Sequence, residues 1–220
     1  MRAPAPHPTL VLIIGIVAFS WASIFVRFCE APPLIIAAYR MALASVFLLP
    51  VALIWFRKEV AELVTGDDVP SCALAGAFLG VHFAVWVASL SYTSVASSVV
   101  FVTTNPLFVA LIGHYVLGER VGRRMALYIA VILAGGSIIG AEDLKASPAS
   151  LYGDFLALAG SLFMSLYLLV SRRLRQRLLL VPYIFVAYTT AAILLVLIAA
   201  LMGMPFAPYP KGTVLYFVLL

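Results

Sequence analysis

The chain is a succession of apolar runs, each long enough to cross a bilayer as a helix, separated by short segments that hold nearly all of its charge. A hydrocarbon core about 30 Å thick needs about 20 helical residues at 1.5 Å each. Runs of that length, bounded by charge or by Pro and Gly clusters, extend from Thr9 to Phe28, Pro32 to Phe56, Pro70 to Tyr92, Val95 to Gly118, Met125 to Ala141, Tyr152 to Ser171 and Leu180 to Met202. A last run starts at Thr213 and stops at Leu220. Eight helical residues cover only about 12 Å, so the chain is expected to end inside a membrane helix. The reading is an all-α polytopic membrane protein with seven complete spans and the start of an eighth.

With 65% hydrophobic and 10% charged residues, the chain has too little polar surface to cover itself in water. The net charge of +5 then reflects basic loops on one side of a bilayer rather than a nucleic-acid partner. With the N-terminus inside, Arg2, Arg57, Lys58, Arg120, Arg123, Arg124, Arg172, Arg173, Arg175 and Arg177 fall on the cytoplasmic side. Arg27, Lys145 and Lys211 fall on the other, and Arg40 lies inside a span. The positive-inside rule therefore puts the N-terminus in the cytoplasm of an inner or plasma membrane. The first run lacks a clean cleavage site and reads as an uncleaved span. Cys29 and Cys72 lie on opposite faces in this topology and are expected to be free thiols.

One run is interrupted. Between Val95 and Gly118 stands Thr103-Thr104-Asn105-Pro106. Pro106 cannot bond the carbonyl of Val102, and its ring disfavours helical geometry at Asn105. A kink or opening is expected there. In lipid, freed backbone groups are tolerated only against protein or a wet cavity, so the break points to a cavity.

Internal repetition is also visible. Trp21, Ser23 and Phe25 match Phe163, Ser165 and Tyr167 at one constant spacing, and Pro33, Ala38 and Tyr39 match Pro182, Ala187 and Tyr188 at another. A unit of five helices is odd, so its second copy enters the membrane from the opposite side. Such inverted repeats build sites near the midplane.

The set Phe19-Ser20-Trp21-Ala22-Ser23, Tyr39-Arg40, Tyr92-Thr93-Ser94-Val95-Ala96, Asn105-Pro106-Leu107 and Leu117-Gly118-Glu119-Arg120 resembles the EamA-type branch of the drug/metabolite transporter superfamily. The resemblance implies a ten-helix carrier made of two inverted five-helix halves that exports a small metabolite, such as an amino acid, by alternating access. Residues 1–141 would be the first half and 142–220 part of the second. The counterpart of Asn105-Pro106 would fall beyond Leu220, so the missing helices would come from the rest of the gene product or from a partner chain.

Several residues are candidates for binding substrate. Arg40 is costly within a span, about 2.5–3.5 kcal/mol near a helix centre. It reads as an anchor for a substrate anion or as a ligand for the carbonyls opened at Pro106. His82, with Trp86 and Ser89 on the same helix face, is either a proton-exchanging group or a neutral imidazole bonded to a neighbouring helix. Trp21 and Trp86 would be aromatic walls. Ser20, Ser23, Thr104 and Asn105 offer neutral hydrogen-bonding groups at similar depth, although hydroxyls in helices commonly bond their own backbone. Gly76 with Gly80, and Gly136 with Gly140, have the four-residue spacing of close helix packing. Gly118 reads as a helix C-cap, and Glu119-Arg120 as surface charge.

No metalloprotease, nucleophile-elbow or phosphate-loop motif is present, no pair of buried carboxylates is evident, and no acidic residue lies deep in a span. Enzyme chemistry, cofactor and metal are not expected. The partners are the lipid bilayer and a small-molecule substrate. The alternatives are a non-transporting membrane scaffold or sensor, or a drug-efflux carrier.

Overall fold

The computed structural model describes residues 8–220, with the side chains at 8, 10–12, 18, 19 and 146 left aside, so Arg2 and the Phe19 side chain lie outside the described residues. The elements are α1 (Pro8–Phe28), α2 (Pro33–Trp55), α3 (Arg57–Thr65), α4 (Val69–Ser89), α5 (Val95–Val102), α6 (Asn105–Leu117), α7 (Arg123–Ala146), α8 (Pro148–Leu174), α9 (Leu180–Leu201) and α10 (Lys211–Leu219). No strand occurs among the described residues. Six stretches are long and apolar enough to span a membrane: α2, α4, α5 with α6, α7 to Lys145, α8 and α9. In α1 the apolar stretch is Ile13–Phe28.

Local chemistry sets the helix ends. Ser94 accepts a bond from the Ser97 N–H at 3.0 Å and starts α5, while Ser147 accepts from Ser150 at 3.1 Å and starts α8. Pro33, Pro106 and Pro148 all fall in first turns, where a missing N–H costs nothing. Gly118 adopts φ 68°, and the following Glu119 N–H closes on the Gly113 carbonyl at 2.9 Å. Only glycine takes that left-handed geometry without strain, so α6 ends there as the sequence predicts. The short α3 was not anticipated. It is amphipathic, and buries Val60 and Leu63 while its charges face outward.

At the centre stands α4, packed against α8, α9 and α2. Close approach is possible because the facing positions are small. A methyl group built at Gly76 would lie 2.4 Å from the Ala187 carbonyl oxygen, and one at Gly80 would lie 3.3 Å from the Ala191 Cα. This pair therefore packs α4 on α9 as its spacing predicts. Gly136 and Gly140 behave differently, because the nearest atom to each is in the Phe101 ring. They border a cavity instead of seating a helix.

The periphery is apolar. Side chains such as Phe47, Ile54, Trp55, Tyr115, Leu127 and Ile138 are exposed, as a surface facing lipid requires. No described residue of α7 is buried. Both cysteines are free thiols.

Candidate functional site

The broken span comes first, because its hydrogen bonds show how the chain tolerates the break. The expected kink is a full interruption: Thr103 and Thr104 leave the helix and Asn105 restarts it. Thr103 Oγ1 donates to the Val99 carbonyl at 2.8 Å, and Thr104 Oγ1 donates to the Phe101 carbonyl at 2.7 Å. Ser165 Oγ of α8 lies 3.1 Å from the Asn105 carbonyl. The two threonine hydroxyls thus add second bonds to carbonyls that also accept the Thr103 and Thr104 N–H groups, and Ser165 ties the restart of the helix to α8. Arg40 takes no part in these bonds.

Beside this break lies a cavity of about 260 Å³ bordered by Phe101, Thr104, Gly136, Ser137, Asp154 and Leu158, among others. The lining residues come from α5, α6, α7 and α8 and the turn between α5 and α6. Thr104 is the candidate residue that borders it, and it also lies 3.1 Å from the buried Ser161 hydroxyl of α8.

Arg40, His82 and Trp86 form a second group in the packed core. The guanidinium of Arg40 lies over the Phe83 ring at 4.6 Å and the Trp86 ring at 5.7 Å. Its Nη1 is buried with no hydrogen-bond partner. Ring faces attract a desolvated cation by up to about 2 kcal/mol, which only partly offsets the loss of water. His82 stacks on Trp86 at 6.0 Å with planes 9° apart, and its Nδ1 donates to the Gly160 carbonyl of α8 at 2.8 Å. That hydrogen bond sets the tautomer of a neutral imidazole.

The remaining candidates are scattered. Ser23 is buried, whereas Ser20 is exposed and donates to its own helix at the Ile16 carbonyl, 2.8 Å away. Trp21 is 52% exposed and stacks on Phe25. Both Ser20 and Trp21 face away from the core group and the cavity. Asn105 contributes its backbone carbonyl, and Pro106 is exposed.

The sequence model of the EamA-like transporter family matches residues 8–141. The chain belongs to the EamA-like transporter family. An uncharacterized transporter of Bacillus subtilis (strain 168), YoaV, is 22% identical over 155 residues, which is 70% of this chain and 52% of that protein. The chain thus spans about half the length of that relative. A solved crystal structure is similar in fold, with a TM-score of 0.61 at 18% identity, covering 94% of this chain and 72% of the other.

This EamA-like chain also holds polar residues that sequence reasoning passed over. Asp154 is 2% exposed and accepts a bond from Thr93 Oγ1 at 2.9 Å. Asp143 of α7 faces it. Asp154 is therefore a buried carboxylate, and Asp143 beside it is half-buried. Asp154 lies near the start of the run read as Tyr152 to Ser171, and Asp143, placed outside a span, comes to face it because α7 runs on to Ala146 and α8 begins at Pro148. The Ser147-Pro148 start signal was the cue. Among the described residues, no group of three or more His, Cys, Asp or Glu side chains could hold a metal ion.

Proposed function

We propose that this EamA-like chain is the substrate-handling part of a carrier for a small polar or amphipathic metabolite, with an amino acid as the family-based substrate. The observation that carries this reading is the broken span, whose Thr104 borders a cavity of about 260 Å³. Cavities near this size enclose solutes of a few heavy atoms, with a small number of polar groups setting orientation. Arg40 does not border this cavity; its buried Nη1, with a hydrogen bond left to give, is the fixed positive charge available to a carboxylate or phosphate in the core group.

The packing supports alternating access between inverted halves. In span order α8, α9 and α10 would repeat α1, α2 and α4. Exchanging the halves turns the α8–α4 contact into α1–α10, and α9–α4 into α2–α10; all four contacts occur, and α2 packs on its own counterpart α9. A two-fold relation within the membrane has that consequence. On this reading residues 1–141 and 142–220 belong to different halves, α10 is the start of an eighth span, and the distribution of basic residues in the loops supports a cytoplasmic N-terminus in an inner or plasma membrane.

Cysteine placed at Thr104 in a background lacking Cys29 and Cys72 tests the cavity. The full-length protein in liposomes should react there with a water-soluble thiol reagent, and amino-acid uptake into the same liposomes should be measurable. Complete protection at Thr104, or no flux of any tested metabolite with the fold intact, would favour a scaffold or sensor.

A further inference from the structure

Two carboxyl groups on different helices face each other where α7 and α8 meet. Asp154 lies in the second turn of α8 with 2% exposure; its Oδ1 accepts the Thr93 hydroxyl at 2.9 Å, and its Oδ2 is buried with no hydrogen-bond partner. Asp143, near the end of α7, is the neighbour of Asp154, and its Oδ2 is likewise buried without a partner. Thr93 is itself held from the far side, because Arg27 Nη2 donates to its carbonyl at 2.6 Å. Gly153 lets α8 approach this turn closely: a methyl group there would lie 2.7 Å from the Thr93 nitrogen. Asp154 is therefore fixed by its surroundings, and it borders the cavity beside the broken span.

Nothing charged compensates the pair. Arg27 of α1 is engaged on a backbone carbonyl. On α7, Lys145 pairs with Glu142 at 2.7 Å on the surface. His82 of α4 is committed to the Gly160 carbonyl, and His114 of α6 to the Glu119 carbonyl at the other end of its helix. No charged side chain belongs to α5. Among the described residues, no Lys, Arg or His forms an ion pair with either carboxyl. Two adjacent carboxylates repel, whereas one proton placed between them turns one into a donor and the other into its acceptor. A single O–H···O bond would satisfy both orphaned oxygens at once.

We propose that Asp143 and Asp154 form a proton-binding site, in which one proton is held between the two carboxyl groups and exchanged with water in the adjoining cavity. Binding converts one carboxylate to a carboxylic acid, and release restores the anion with the proton passing to water. Release also leaves two negative charges across the α7–α8 contact, where α7 has no buried residue to hold it. The proton thereby governs how closely α7 sits on the bundle. That it drives solute movement rests on the carrier reading; that it binds does not.

Infrared spectroscopy on the full-length protein in liposomes tests the site. At neutral pH the wild type should show the C=O band of a protonated carboxyl, shifting on exchange into D2O, which Asp143→Asn and Asp154→Asn each abolish. Thr93→Val should shift that band without removing it, since the hydroxyl bonded to Oδ1 is lost. If Asp154→Asn fails to fold, Asp143→Asn decides alone, because Asp143 is only half-buried. A wild type with no such band at neutral pH, a band that survives in Asp143→Asn, or carboxylate bands that respond to sodium instead would overturn the site. Solute flux without the band would remove the proton site and leave the carrier; the band without flux would remove only the carrier.

Discussion

His82 on α4 donates its Nδ1 hydrogen to the Gly160 carbonyl on α8 at 2.8 Å, and a methyl group at Gly160 would lie 3.3 Å from the Trp86 Cβ. One glycine thus both receives the imidazole and makes room for the indole. A helical carbonyl that accepts a second bond from a neighbouring helix ties the two elements at a fixed register. Replacing His82 with Ala removes the donor and opens a cavity beside Trp86. The expected loss is about 1–3 kcal/mol of stability, read as a lower melting temperature in detergent, and Gln should restore part of it. A melting curve that His82→Ala leaves unmoved would show that this bond contributes nothing.

Two glycine pairs with identical spacing should respond differently to alanine. At Gly76 the added methyl meets the Ala187 carbonyl oxygen, a backbone atom, at 2.4 Å, so α4 and α9 must separate. Overpacking of that kind typically costs about 1–3 kcal/mol. At Gly136 the nearest atom is in the Phe101 ring at 3.4 Å, and the substitution should be tolerated within about 1 kcal/mol. Size-exclusion profiles and thermal melts of Gly76→Ala and Gly136→Ala make the comparison.

Arg40 offers a separation of binding from stability. Its guanidinium rests on Phe83 and Trp86 and leaves Nη1 unbonded. Exchange of a buried charge for an apolar side chain of similar volume is often neutral or stabilising. Arg40→Met should therefore keep its melting temperature while half-saturation for an anionic solute rises at least about tenfold, the equivalent of about 1.4 kcal/mol. A fall in melting temperature with unchanged half-saturation would make the residue structural.

Pro106→Ala restores an N–H in the first turn of α6 and removes the constraint on Asn105. Stability should change by about 1 kcal/mol, the net worth of the one backbone bond to the Val102 carbonyl that becomes available. Reactivity of a cysteine at position 104 toward a water-soluble reagent should drop as the helix closes. Equal labelling in both backgrounds would show that proline does not hold the break open.

The exposed Glu119–Arg172 pair joins the α6 end to α8 at 3.0 Å. Both side chains are well solvated, so Glu119→Gln should cost no more than about 1 kcal/mol. A larger shift in the melt would indicate a gating contact rather than surface charge.

The long helices, their boundaries within a few residues, the break near Pro106 and the family were all legible in the amino-acid order, because each depends on local chemistry, whereas the short α3 was not. Long apolar runs must be helical in lipid, proline cannot complete the ladder, and Gly118 takes the left-handed C-cap. Arg40 and His82 stood out individually, since charge and imidazole inside a span demand an explanation, but that Arg40 rests on the Trp86 ring beside His82 is a matter of packing. What no local pattern carried was which of these faces meet. Asp143 and Asp154 looked like polar ends of two spans until α7 and α8 extended toward one another and sealed them behind Thr93. The cavity lies among α5, α6, α7 and α8 because Gly136 and Gly140 meet a phenylalanine ring instead of a helix. Sequence determines what each segment can be on its own; burial is a property of pairs of surfaces, and only the packed bundle decides it.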